Sequence, residues 1–259
     1  MTNLRVSLVQ TDLVWEDPVA NCAQLEEKLA VLSGLSDVVI LPEMFATGFS
    51  MTDVGAEIGR GPVLQWMQVQ ANRLGALVLG SLKVKHGTSY YNRLYAVEPS
   101  GSYTSYDKRH LFRMGGEHEF YQSGDQQVIV SFKGWKLALF VCYDLRFPVW
   151  SRNVGSAYDA AIYVANWPAP RANAWRTLLQ ARAIENLAYV VGVNRVGMDA
   201  TDLAYAGDSL LVDYKGDLLL DLKSKDQILT SELSLESLAE FRAKFPAHLD
   251  ADSFSLSSL

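Results

Sequence analysis

Cysteine is almost missing from this chain. Two occur in 259 residues, Cys22 and Cys142, too few for a disulfide framework and in keeping with a reducing compartment. A bridge between them is not expected. The four histidines are scattered and form no His-x-x-x-His pair, and there is no Cys-x-x-Cys pair, so a metal site is not expected. No phosphate-cradling glycine loop follows the first apolar segment, and no cofactor is implied. The Gly-x-Ser-x-Gly elbow of a serine hydrolase is lacking, since Gly207-Asp208-Ser209 does not complete it. No apolar run approaches a membrane span, and Met1–Arg5 has no basic region leading into an apolar one, which points to a soluble cytoplasmic protein with no membrane partner. Basic clusters interleaved with aromatics are lacking too. With a formal charge of −6, a nucleic-acid partner is disfavoured.

What the chain does contain is ample apolar material, 49% against 20% charged, enough for a sizeable core. Nothing resembles a linker or an internal repeat, so residues 1–259 read as a single domain. Residues 4–10 read as a strand. Asp17-Pro18 then supplies an N-cap and a first-turn proline for a helix with Cys22, Leu25, Leu29 and Leu32 on one face, ended by Gly34. A strand at 37–41 completes a βαβ crossover. Pro62 opens a second helix closed by Gly75, followed by strands at 76–82, 90–97 and 102–107, the last two joined through Pro99-Ser100-Gly101. In the second half, strands are expected at 135–141, 158–165, 188–194 and 227–233. Helices are expected at 148–153, through Trp175 to Leu187, and at 235–244, with a hairpin at Tyr214–Asp217. This alternation fits an α/β fold of two sheets packed face to face with helices outside.

The chemistry gathers where apolar runs break. Residues 135–141 end at Cys142, followed by Tyr143, Asp144 and Arg146, which places a thiol on a sharp turn with the backbone N–H of Tyr143 facing whatever the sulfur attacks. Val38–Leu41 ends on Pro42-Glu43, and Tyr103–Asp107 ends on Lys108. Catalytic groups in open α/β sheets collect at the carboxyl ends of strands, so a thiol, a carboxylate and an ammonium could share one cleft. Taken singly, each has a plain structural reading: a small buried hydrophobe for Cys142, a cap for Glu43, a surface cation for Lys108. Asp144 and Arg146 are expected to brace the turn by paired hydrogen bonds, and His110 to be a packed partner rather than a base. The segment 109–125, with Gly115-Gly116 and Gly124, reads as a long functional loop and carries Glu117 and Glu119.

Leu-Pro-Glu43, Asp-Lys108-Arg-His-Leu-Phe and Val-Cys142-Tyr-Asp-Leu-Arg-Phe-Pro resemble, in order and spacing, the three motifs of the nitrilase (carbon–nitrogen hydrolase) superfamily. The resemblance extends to Ala165-Asn166-Trp167-Pro168 and Ala181–Asn186, and within the superfamily it points to bacterial omega-amidases, which hydrolyse 2-oxoglutaramate and related omega-amides of 2-oxo acids. It implies a four-layer αββα sandwich, assembly into a homodimer through helices flanking the nucleophile turn, and a second glutamate in the 109–125 loop, which the spacing matches to Glu117 rather than Glu119. It also implies acyl transfer through a thioester, with Cys142 as nucleophile, Glu43 as acid and base, and Lys108 with the Tyr143 N–H at the oxyanion. A substrate of this kind carries a carboxylate. Arg113 and Arg171 are the candidates to bind it, with Phe49 and Trp167 as walls. The same triad would equally serve an amidase for deaminated glutathione, a carbamoylase or a nitrilase, and the fold alone could serve a non-catalytic binding protein.

Overall fold

In the computed structural model, which describes residues 3–256, alternate residues of the first strands face two different layers. Strands β1 (Leu4–Gln10), β2 (Val38–Ile40), β3 (Glu57–Ile58), β4 (Leu77–His86), β5 (Ser89–Val97) and β6 (Tyr103–Asp107) make up most of the first sheet. Val38 and Ile40 of β2 enter the core between the sheets. Val39 and Leu41 pack outward with Leu25 and Leu29 of α1 (Pro18–Leu29) and Leu64 and Met67 of α2 (Pro62–Leu74). β4 divides the same way, Leu77 and Leu79 inward and Val78 outward. A strand covered on both faces has no polar alternation, which is why these segments read as unbroken apolar runs. α1 starts where the Asp17 side chain accepts from the Ala20 N–H at 2.9 Å, and α2 stops at Gly75, whose φ of +63° few other residues adopt cheaply.

After the short helix α3 (Glu117–Phe120) the second sheet begins with β7 (Ile129–Phe132), β8 (Trp135–Val141), β9 (Ala160–Ala165) and β10 (Tyr189–Asn194), the last three mutually parallel. Helix α4 (Ala172–Asn186) crosses between β9 and β10. A separate hairpin, β11 (Val196–Met198) with β12 (Ala204–Ala206), precedes β13 (Leu210–Val212) and β14 (Leu218–Asp221), which extend the second sheet. β15 (Gln227–Leu233) returns to the first sheet, antiparallel to β1, and α5 (Leu235–Lys244) follows. The layers run helix, sheet, sheet, helix, the αββα sandwich that the sequence implies.

Two local expectations need correction. Residues 148–153 are turns rather than a helix, because the Asn153 side chain accepts from the Tyr158 N–H and donates to the Tyr158 carbonyl, both at 3.0 Å, and so competes with helical hydrogen bonding. β7 was not expected at all. It pairs with β8 across Lys133-Gly134, both at positive φ, a two-residue hairpin turn.

α4 lies close against β10 because Gly192 has no side chain. A Cβ there would sit 2.5 Å from Leu179 Cδ1 and 2.8 Å from Trp175 Cζ2. Gly192→Ala is expected to lower the unfolding free energy by about 1–3 kcal/mol, read as a lower urea midpoint at unchanged m-value.

Candidate active site

The carboxyl ends of β2, β6, β8 and β9 point into one region, and each delivers a functional side chain just past the strand. Glu43 follows Leu41-Pro42, Lys108 follows β6, Cys142 follows β8 and Asn166 follows β9. Glu117 arrives as the first residue of α3. Glu43, Lys108 and Glu117 are buried, and Cys142 is 8% exposed at a cavity of about 290 Å³. Cys142 itself has a φ of +46°, and Met44, next to Glu43, a φ of +42°. Left-handed backbone at a non-glycine residue costs about 1–3 kcal/mol and persists only where surrounding structure enforces it.

Lys108 Nζ lies 2.9 Å from Glu43 Oε1 and 3.0 and 2.9 Å from Glu117 Oε1 and Oε2. Glu43 Oε2 accepts from the Asn166 N–H at 2.7 Å, and Glu117 Oε2 accepts from the Phe112 N–H at 2.5 Å. Asn92 Nδ2 donates to Glu43 Oε1 at 2.7 Å and to Glu117 Oε1 at 3.3 Å. The Asn92 carbonyl also accepts from the Lys108 N–H at 3.0 Å, so one β5 residue holds all three charged groups. Burial works against the Lys108 charge, but Glu117 and Glu43 outweigh it and hold the ammonium above its ordinary value. Burial raises Glu117 above the usual carboxylate range, with Lys108 opposing and Glu43 adding to it. Burial likewise pushes the Cys142 thiol well up, Glu43 adds to that, and Lys108 offsets only part. The resting sulfur is therefore protonated and needs a base as it attacks.

Of the residues singled out from sequence, the structure brings Glu43, Lys108, Glu117 and Cys142 into one cluster, and Glu119 lies outside it with an exposed side chain. Tyr143, Phe49, Trp167 and Arg171 line the cavity; Arg113 does not, being exposed at the head of a 3-10 turn, Arg113–Gly115, that turns it outward. Asp144 braces the nucleophile turn as expected, accepting from the Val141 and His110 N–H groups at 2.9 Å and from Tyr106 Oη at 2.7 Å. His110 Nδ1 lies 2.8 Å from Asp144, and its ring stacks on Phe147. Arg146 does not pair with Asp144. It is exposed, lines the cavity, and lies with its guanidinium 5.0 Å from the Trp167 ring centroid. The reason is local geometry: Cys142–Arg146 is a 3-10 turn, so Tyr143 and Arg146, three apart, share one side.

Sequence reasoning missed Asn92, Asn166, Trp15 and the β11–β12 hairpin, which brings Asp199, Thr201 and Tyr205 to the cavity wall. Asn166 and Asn92 left usable signals: Asn166 directly follows an apolar strand, and Asn92 is placed by the register of a hairpin. The hairpin turn at 99–101 sets Val97 opposite Tyr103, and counting back places Asn92 beside Lys108.

The carbon-nitrogen hydrolase family model matches residues 5–243. The chain is 46% identical over 257 residues to the omega-amidase YafV of Escherichia coli strain K12, covering 99% of this chain and 100% of that protein. It is 32% identical over 251 residues to the 2-oxoglutaramate amidase of Bacillus subtilis strain 168, covering 95% and 96%. Among solved structures, XC1258 from Xanthomonas campestris superposes with a TM-score of 0.97 at 46% identity, covering 99% of this chain and 100% of the other. It is described as a CN-hydrolase superfamily protein with an arsenic adduct in the active site.

The Asn92 amide donates to both Glu43 and Glu117, so removing it leaves the group that would take the thiol proton less firmly placed. Asn92→Ala is expected to slow alkylation of Cys142 by iodoacetamide at neutral pH about ten-fold, followed by mass spectrometry. Cys22, whose thiol burial pushes up to about 12, serves as the slow internal standard. An unchanged rate would show that Asn92 does not act on the base.

Proposed function

Because the chain belongs to the carbon–nitrogen hydrolase family, we propose that it is an omega-amidase, hydrolysing the terminal amide of 2-oxo dicarboxylic monoamides such as 2-oxoglutaramate and 2-oxosuccinamate. The products are the 2-oxo acid and ammonia. Two relatives named for these activities, matched over nearly their full length, support the reading. The observation that carries it is the makeup of the cavity. Its lining holds the Cys142 thiol and the Lys108 ammonium, the latter paired with Glu43, and its wall carries two arginines, Arg146 and Arg171, with no carboxylate partner among the described residues.

In the proposed mechanism Glu43 takes the thiol proton as Cys142 sulfur attacks the amide carbon. The carbonyl electron pair moves to oxygen, where the fixed charge of Lys108 and the Tyr143 N–H stabilise it. Collapse of this intermediate breaks the carbon–nitrogen bond as Glu43 returns the proton to nitrogen, and ammonia leaves a thioester on Cys142. Glu43 then deprotonates water for attack on the thioester, and the sulfur recovers its proton as the acid departs. Glu117 keeps Lys108 in place through two short contacts. The substrate carboxylate lies at the other end, held by Arg146 and Arg171, each already stacked on an aromatic face, Trp167 and Phe112.

We take residues 1–259 to work as one domain, a reading supported by the family match across 5–243. Among the described residues no helix is long and apolar enough to cross a membrane. The cytoplasm is the proposed site of action, with both cysteines free thiols. A homodimer is part of the same proposal, supported by exposed Val149, Val154 and Ile184 on segments flanking the nucleophile turn. Light scattering on a sizing column is expected to give twice the 28.7 kDa of one chain, and a monomer would overturn this.

Arg146→Leu is expected to raise KM for 2-oxoglutaramate on the order of 10–100-fold while changing KM for a neutral amide such as butyramide less than about three-fold. Steady-state kinetics on both substrates decides it; equal effects on the two would reject the carboxylate role.

A further inference from the structure

Lys83 of β4 is a buried cation that the mechanism above does not use. It is 1% exposed and makes no ion pair among the described residues. Its Nζ donates to Ser50 Oγ at 2.8 Å and to the Val54 carbonyl at 2.9 Å. Burial pushes its pKa down to about 8, with Glu16 and Asp53 acting the other way, so it keeps its proton at neutral pH. The strand register sets Lys83 directly opposite Asn92, which in turn lies beside Lys108. Three polar side chains thus stand in a row, on β4, on β5 and just past the end of β6.

Ser50 is fixed from two sides. Its carbonyl accepts from Tyr121 Oη at 2.8 Å, and its hydroxyl oxygen accepts from Lys83. It lies on the irregular segment between Glu43 and β3 that also supplies Phe49 and Met51 to the cavity, and Ser50 itself is a cavity residue. A hydroxyl has one proton to give. With an ammonium on its lone pair, that proton must point away from Nζ, and no protein acceptor receives it among the described residues. A donor bonded to a charged group is also the stronger donor.

We propose that Ser50 donates a hydrogen bond to an oxygen of the substrate outside the reacting amide, and that Lys83 is the positioning residue that aims and polarises it. This rests on the omega-amidase reading, in which the amide end of the substrate is engaged by Cys142, Lys108 and the Tyr143 N–H and its remaining oxygens face the other walls. The unpaired state of Lys83 then has a reason: a carboxylate partner would draw the ammonium off the serine.

The test is steady-state kinetics with 2-oxoglutaramate on wild type, Ser50→Ala, Lys83→Met and the double variant. Each single variant is expected to raise KM on the order of 10-fold, the worth of one hydrogen bond with a charge-assisted donor, with kcat changed by less than about three-fold. The double variant is expected to match the worse single one, since both remove the same bond. An unchanged KM in Ser50→Ala overturns the donor role. A double variant whose loss is the product of the two single losses overturns the coupling. Where Lys83→Met does not fold, Ser50→Ala alone decides the donor role, and Lys83→Gln, a shorter and uncharged side chain, replaces it in the cycle. Wild-type turnover of 2-oxoglutaramate is measured first and tests the omega-amidase reading by itself; if it is absent, the same comparison is run with whichever amide the wild type hydrolyses.

Discussion

One buried ammonium between two buried carboxylates is the interaction on which the rest depends. Lys108, Glu43 and Glu117 have side chains with no exposed surface, and taking each charge out of water costs several kcal/mol even after relaxation. Pairing at 2.9–3.0 Å offsets that only if the remaining lone pairs are also satisfied. They are, by N–H groups of Asn92, Phe112 and Asn166. Removing one partner would strand the others, which is why so many elements end at this point: a strand end is the stiffest place from which to hold a charge in a dry site.

The cluster also spans the two sheets. Glu43, Asn92 and Lys108 belong to the first, Cys142 and Asn166 to the second. They are connected by the Asn166 N–H on Glu43 and by Asp144, which holds the turn that carries Cys142 and accepts from Tyr106, two residues before Lys108. The left-handed backbone at Cys142 lies inside the turn that Asp144 holds, and that at Met44 is fixed within the first sheet, its N–H donating to Ser81 Oγ at 2.8 Å.

How much of this could be read from the sequence depended on whether a residue interrupts a pattern. Glu43 and Cys142 are legible because each closes an apolar run, and Lys108 because it closes a mixed strand within a string, Asp-Lys-Arg-His-Leu-Phe, that resembles a family motif. Asn92 is not, because a neutral side chain inside an aromatic strand disturbs nothing, and only the hairpin count places it beside Lys108. Arg146 is expected from sequence to pair with Asp144 and brace the turn; a 3-10 turn has three residues per turn, and that sends Arg146 to the side of Tyr143 instead. Arg113 lies in a loop without periodicity, where no spacing rule says which way a side chain faces. The β11–β12 hairpin reaches the cavity through a long-range tie, Arg195 Nη2 on Asp12 Oδ1 at 2.7 Å, and nothing local to either residue foretells it.

The two ends of the cavity use charge in opposite ways, and burial explains why. At the end that holds Cys142, Lys108 is buried and paired with two carboxylates, because an unpaired ammonium there would cost too much to keep, and in its proposed role a charge that stabilises an oxyanion works best when it does not move. At the other end Arg146 is exposed and Arg171 half-buried, each lying on an aromatic face and without a carboxylate partner among the described residues. A guanidinium is weakly hydrated and planar, so stacking holds it in place while water still reaches its edges, and the empty site is inexpensive to maintain. Such a group gains a strong contact only when an anion arrives. On the proposed function, recognition of an acidic substrate thus belongs to the wet end, and bond breaking to the dry one.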